Sequence, residues 1–293
     1  MSIKGNKSDP SPPRNDRCLL LELPRELRDL IYDFALTENG GLIKDENFDP
    51  NSGDATGRFR AAGDEAKRDA NQLKFVCRQL RAETKGLGLR LNVLTFRFNA
   101  QQSSYRVLMH FLTYECSESH LRRVKEVVLI TSKDRTPLDE TFGSPAFHAY
   151  CQKHPSTKVT IRLGWFGTSV EPVIWCAIGS AIHYLLNGVM PTCMVIGRTP
   201  GANQMIRDEM DRIMSKCEVI CPNVQMFPLA LETRCFGEAS LWAQTDFERI
   251  SWISQCRAWS ERGFRLSYSA PRSRHDKRLA AQRLNGVGRT SQV

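Results

Sequence analysis

A regular alternation of strand-like and helix-like segments constrains the fold of this chain more than any other sequence feature. Short runs rich in β-branched and aromatic residues occur at 93–98, 126–131, 158–163, 193–196 and, less regularly, 224–231. Helix-like patterns fill the intervals at 104–116, 139–153, 170–187 and 202–217, and a longer one follows from about 241. The first four strand centres lie about 33 residues apart, a spacing that predicts parallel strands joined by right-handed helical crossovers.

Two architectures share this rhythm. One is a curved solenoid that resembles an irregular leucine-rich repeat, whose usual period is shorter, at about 20–29 residues. The other is a compact three-layer α/β sheet. We expect an α/β fold and favour the repeat-like form, although the chain contains no Leu-x-x-Leu-x-Leu consensus.

Two helices are predicted before the first strand. The first begins at Arg25, after a proline that suits a helix start, and ends near Leu36, because a run of turn-forming residues follows at 37–41. Apolar residues recur in it at helical spacing, at Leu27, Leu30, Ile31, Phe34 and Ala35. The second is expected from Asp69 to Lys85, with Leu73, Val76, Cys77 and Leu80 on one face. Between them, residues 39–70 are rich in Gly, Asn and Asp and predict a long mobile loop.

The net charge of +9 is concentrated near the two termini. Residues 1–17 carry four basic and two acidic residues, and residues 268–293 carry six basic residues and one acidic residue. Residues 18–267 are therefore left with a net charge of only +2. We interpret both segments as disordered basic tails, and we do not expect a folded nucleic-acid-binding surface, which would place basic residues on the domain itself. No apolar run approaches the roughly 20 residues that span a bilayer, and no secretory signal is recognised, so we expect no membrane association and a cytoplasmic or nuclear location. The ten cysteines are scattered singly and are expected to be reduced.

No sequence motif indicates catalysis. The chain has no P-loop, no GxGxxG and no serine elbow. His148, Cys151 and His154 are spaced three residues apart, but a structural zinc site normally needs four ligands and no fourth stands at a suitable spacing. We therefore predict no catalytic residue, no cofactor and no metal, and expect that the protein is not an enzyme.

Three segments in order carry a resemblance to a known family. They are LLELPRELRDLIYDFAL at 20–36, LKFVCRQLRAE at 73–83 and LNVLTFRF at 91–98. The first resembles the opening helix of an F-box. All three are similar to the elements LPxELRxxIYxxxL, LxxVCRQxRxE and N-x-F-x-F of an F-box-like group of filamentous-fungal proteins.

The resemblance implies a non-catalytic adaptor of a cullin ubiquitin ligase. Its N-terminal helix would dock on a Skp1-type subunit through Leu23, Pro24, Leu27, Ile31 and Phe34, and residues 90–265 would bind a protein substrate. On a helix with two apolar faces, Leu27 and Leu30 could instead pack inward while Pro24, Ile31 and Phe34 face the partner. The chain departs from an ordinary F-box in two ways: Pro24 and Val76 are about twice as far apart, and Leu80 stands near the place of a common Trp.

The resulting domain organisation has four parts. A disordered tail at 1–17 precedes an F-box-like helical segment at 18–88, which contains the loop at 39–70. An α/β strand–helix region follows at 89–267, and a disordered basic tail occupies 268–293. Two alternatives remain open: an interaction module whose F-box-like helices are purely structural, with no link to ubiquitin, and a small-molecule enzyme with a polar pocket at the C-terminal ends of the strands.

Overall fold

The structure is a computed structural model that describes residues 18–44, 59–64, 68–97, 103–131, 144–164, 179–180, 182–183, 208, 221–228 and 246–264. Six strands within these residues form one mixed sheet. They are β1 Leu42–Lys44, β2 Phe59–Ala61, β3 Leu94–Arg97, β4 Glu126–Ile130, β5 Lys158–Leu163 and β6 Val224–Pro228.

The strands lie in the order β2-β1-β3-β4-β5-β6. Only the β1–β2 pair is antiparallel; β1 with β3, β3 with β4, β4 with β5 and β5 with β6 are all parallel. The prediction of an α/β fold with parallel strands is therefore confirmed for the described residues. The predicted strand at 158–163 has the expected bounds, and the one at 126–131 is one residue shorter, at β4. Of the strands predicted at 93–98 and 224–231, the structure describes residues 93–97 and 224–228, where β3 and β6 lie.

The main core lies on one face of the sheet. Alternate residues of the four long strands point into it and are at most 4% exposed: Leu94, Phe96, Val127, Leu129, Val159, Ile161, Val224 and Met226. Because successive side chains of a strand point to opposite faces, this alternation places the intervening residues on the other face. Helices pack on the core face through Val107, Leu108, Phe147 and Trp259.

The helices alternate with the strands along the chain. Before β3 they are α1 Leu19–Glu22, α2 Arg25–Leu36, a 3-10 turn Gln72–Phe75, α3 Arg78–Glu83 and α4 Leu87–Leu91. After β3 they are α5 Ser104–His110, a π-helical segment Phe111–Glu115, α6 Glu118–Leu121, α7 Pro145–Lys153 and α8 Asp246–Arg262. The predicted first helix, from Arg25 to Leu36, is confirmed at both ends.

Two expectations for the N-terminal part are wrong. The segment 39–70 is not a loop throughout, because 42–44 and 59–61 are strands, and β1 pairs with β3 of the main sheet. The expected continuous helix from Asp69 to Lys85 is broken, because Cys77 has an extended backbone (φ −157°, ψ 167°) and its sulfur accepts the Leu80 N–H at the start of α3.

Several expectations fall outside the described residues. They include both basic tails, the strand at 193–196, and most of the helices at 170–187 and 202–217. Among the helices that are described, none is long and apolar enough to cross a bilayer.

Candidate protein-docking site

Helix α2 turns an apolar stripe toward solvent. Leu27, Leu30, Ile31 and Phe34 follow one another at the i, i+3, i+4 and i+7 spacing that places them on one helical face. Their exposed fractions are 47%, 66%, 38% and 88%. We call these four residues the α2 stripe. A stripe of this kind ordinarily faces the core of a globular protein, so its exposure marks a surface suited to a partner.

The opposite side of α2 is the side that packs. Tyr32 is fully buried and Leu36 is 3% exposed, and both belong to a small core with Leu80 of α3 and Leu87 of α4. This core is separate from the main core beneath the sheet. The helix is therefore held by two residues of one face while the apolar stripe on the other remains uncovered.

A carboxylate from α3 fixes this orientation of α2. Both oxygens of Glu83 accept hydrogen bonds from the Arg28 guanidinium, each at 3.1 Å, and Glu83 Oε2 also accepts one from the Tyr32 hydroxyl at 2.6 Å. Gln79 donates to Glu83 Oε1 at 2.9 Å. The side chains of Arg28 and Glu83 are only 13% and 11% exposed, so this is a largely desolvated bidentate pair.

The network shifts the titration of both acidic groups in it. The hydrogen bond from Tyr32, followed by that from Gln79, lowers the pKa of Glu83 from its ordinary 4.5 to about 2. Burial, together with the bond to Glu83, raises the pKa of Tyr32 to about 12. Glu83 is therefore ionised and Tyr32 protonated at neutral pH, which are the states that the donor and acceptor roles require.

This network brings together polar residues of two of the three segments that carry the resemblance to the F-box-like group. Arg28 and Tyr32 come from the first segment, and Gln79 and Glu83 come from the second. Asn92 of the third segment is 5% exposed and donates to the carbonyls of Leu36 and Gly88 at 2.6 and 2.9 Å. The three segments are thus joined by their polar side chains around the buried side of α2.

Most of the predicted docking residues are accessible. Pro24, Leu27, Ile31 and Phe34 are exposed, whereas Leu23 is half-buried. The Leu23 carbonyl accepts a hydrogen bond of 2.6 Å from Arg28 Nη1, so this residue helps to position the turn between α1 and α2. The expectation that Leu27 and Leu30 pack inward is wrong, because Arg28 and Tyr32 occupy the inward face that those leucines would need.

Sequence reasoning missed other exposed apolar residues. Leu30 belongs to the stripe, although the predicted docking set does not include it, and Leu19, Phe75 and Val76 are exposed by 76%, 64% and 63%. The sequence places Val76 on one helical face with Leu73, Cys77 and Leu80, but the helix is interrupted between the 3-10 turn and α3 at this point. The sequence feature that could have indicated the exposure of Phe75 and Val76 is their position just before the Cys77-Arg78-Gln79 element.

The His148, Cys151 and His154 set does not converge on a site. Cys151 is 1% exposed in the main core, and His154 Nε2 lies 3.9 Å from a carboxylate oxygen of Glu118. Across the described ranges, no group of three or more His, Cys, Asp and Glu side chains is arranged to hold a metal ion.

We compared the chain with protein-family models, with curated proteins and with solved structures, and none matches it. The function is therefore inferred from the residues of the docking site and their geometry.

Proposed function

We propose that the protein is a non-catalytic F-box-like adaptor. Its α2 stripe would bind a Skp1-type subunit of a cullin ubiquitin ligase, and its α/β region would bind a protein substrate. The observation that carries the proposal is the exposure of four apolar side chains at i, i+3, i+4 and i+7 on one helix. Anchors at this spacing are the ones an amphipathic helix places in a hydrophobic groove.

The size of the stripe suits a partner site. Burying a large apolar side chain contributes about 1.5–3 kcal/mol when it becomes fully buried. The free energy gained by burying four such side chains offsets part of the cost of association. Phe34 and Leu30 are the most exposed of the four, so they would bury the most additional apolar area. Catalysis would belong to the ligase partners, so the chain itself would need no reactive residue.

The alternative of purely structural F-box-like helices is less well supported. A structural helix would be expected to bury its apolar stripe, but α2 is held by Tyr32, Leu36 and the Arg28–Glu83 pair on its other side. Within the described residues, the packing of α2 therefore does not involve the stripe. This favours a partner over a role in the core alone.

The leucine-rich-repeat-like arrangement is part of the same proposal. It is supported by the order β1-β3-β4-β5-β6, in which each parallel strand neighbours the next along the described chain. With right-handed crossovers, this order places the connecting helices on one side of the sheet, as in a solenoid. Solenoids bind partners on an extended surface, but here the face opposite the main core is buried at Thr95, Val128 and Thr160, so only its edge at the ends of the strands is accessible.

The test is a calorimetric titration of the full chain with a purified fungal Skp1-type protein. We expect micromolar or tighter binding, which Ile31→Asp/Phe34→Asp abolishes while circular dichroism shows an unchanged fold. The matched control is Ile250→Asp, because Ile250 is 63% exposed on α8 and receives the same charge away from the stripe. If the wild-type protein folds but gives no binding heat, or if Ile250→Asp weakens binding as much as the double variant, the adaptor function is wrong.

A further inference from the structure

A second candidate surface lies at the C-terminal ends of the parallel strands, on the face opposite the main core. Arg97 of β3, Ile130 of β4 and Arg162 of β5 occupy one row, because Arg97 pairs in register with Ile130 and Ile130 with Arg162. Side chains in register on neighbouring parallel strands point to the same side of the sheet. We call Arg97, Ile130 and Arg162 the arginine row.

The two arginines of this row are exposed and uncompensated. Within the described part of the chain, no acidic side chain forms an ion pair with Arg97 or Arg162. The carboxylate of Glu126 lies on the same face, but it is at the other end of β4 and pairs with Lys158 at 3.0 Å. The row therefore presents two positive charges that flank a half-buried apolar side chain.

The neighbouring row on this face contains buried polar atoms without a partner. Thr160 of β5 is 5% exposed and is in register with Gln225 of β6. In the described structure, Thr160 Oγ1 and Gln225 Oε1 have no hydrogen-bond partner. Both oxygens are covered by the protein itself, as are Thr95 and Val128 of the same face, so a ligand on this side of the sheet reaches the exposed arginine row and not the rows behind it.

We propose that the arginine row binds an acidic peptide segment of the protein substrate, with Arg97 and Arg162 each holding a carboxylate on either side of Ile130. This inference rests on the proposed adaptor function and specifies the chemistry of its substrate. A guanidinium binds a carboxylate through paired hydrogen bonds, and the aliphatic side chain between the two arginines suits a peptide better than a nucleic-acid backbone, which calls for an uninterrupted basic stripe.

The strand spacing sets the spacing of the two acidic residues. Arg97 and Arg162 are two strands apart, which is about 9.5 Å across a sheet. In an extended polyproline II segment, residues i and i+3 point the same way and lie about 9.3 Å apart. The row therefore selects acidic residues three positions apart, while the two residues between them point away from the sheet.

The test measures fluorescence anisotropy of a short labelled peptide that contains Glu-Pro-Leu-Glu, with Gln-Pro-Leu-Gln as its neutral match. We expect saturable binding of the acidic peptide, at least about tenfold weaker after Arg162→Gln or Arg97→Gln, and much weaker binding of the neutral peptide. The matched control is Arg123→Gln: Arg123 is exposed just before β4, at the opposite end of the strands, and its loss should leave affinity unchanged.

Three results would overturn the inference: no saturable binding of the acidic peptide, an equal loss in Arg123→Gln, or tighter binding of a single-stranded oligonucleotide with the same dependence on Arg97 and Arg162. The Ile31→Asp/Phe34→Asp variant separates this inference from the adaptor function. It should bind the acidic peptide as the wild type does, so failure of peptide binding and failure of adaptor binding are observed independently.

Discussion

The hydroxyl of Tyr32 donates a 2.6 Å hydrogen bond to the carboxylate of Glu83, and this contact joins α2 to α3 across 51 residues of sequence. The same carboxylate receives the Arg28 guanidinium through two bonds. Since Arg28 and Tyr32 lie on one face of α2, their attachment to Glu83 turns the apolar stripe to the other side. A polar contact thus determines which side of the helix is available to a partner.

Removing the charge of Glu83 should destabilise the helical segment. In Glu83→Gln, the guanidinium of Arg28 stays largely desolvated but loses its bidentate carboxylate, which we expect to cost about 2–4 kcal/mol. Urea unfolding followed by circular dichroism measures the change. The control Glu26→Gln alters an exposed residue of α2, the helix that carries Arg28, and should stay within about 0.5 kcal/mol of the wild type. Equal effects of the two substitutions would show that the network does not hold α2.

The stability that Glu83 provides should depend on pH in the acidic range. The pKa of Glu83 is about 2 in the folded protein, below its ordinary 4.5, so the unfolded chain takes up the proton first as the pH falls. The contribution is complete above about pH 4.5 and is lost progressively toward pH 2. We expect the difference in unfolding free energy between wild type and Glu83→Gln to shrink over this interval. A difference that stays constant from neutral pH down to about pH 2.5 would contradict the assignment.

Truncating a side chain should affect the stability of the protein much less on the exposed face of α2 than on its buried face. Phe34 is 88% exposed, so Phe34→Ala should change stability by no more than about 0.5 kcal/mol. Leu36, two residues further on, is 3% exposed, and Leu36→Ala should cost about 2–5 kcal/mol through lost burial and the cavity it leaves. Thermal and urea unfolding of both variants make the comparison. A large loss for Phe34→Ala would mean that the stripe serves the fold.

Local sequence patterns predict much of the fold. The start of α2 after Pro24, the strand Lys158–Leu163 and the parallel pairing of β3 with β4 all follow from short-range signals and spacing. The pairing of β1 with β3 did not, because it joins a three-residue strand to a partner about 50 residues away and leaves almost no local pattern.

The candidate site shows a different limit of sequence reasoning. The apolar residues of α2 were identified, but periodicity alone assigns an apolar stripe to the core. The buried face is instead set by Arg28 and Tyr32, which look like surface residues until Glu83 is brought to them from α3. Which side of an amphipathic helix faces inward thus depends on a long-range polar contact that no local window contains.

The carboxamide of Asn92 should be required for the junction between α2 and the sheet. Asn92 lies two residues before the start of β3. Its Nδ2 donates to the last carbonyl of α2, that of Leu36, while its Oδ1 accepts the Glu38 N–H at 2.7 Å. In Asn92→Ala these buried backbone groups lose their partner, which should cost about 1–3 kcal/mol. Urea unfolding gives the loss, and amide hydrogen exchange should show faster exchange at Glu38. Asn39→Ala removes the same group from an exposed position nearby and serves as the control. If Asn92→Ala leaves both stability and exchange at Glu38 unchanged, the carboxamide does not join the two parts, and the attachment of α2 then depends on Tyr32, Leu36 and Glu83 alone.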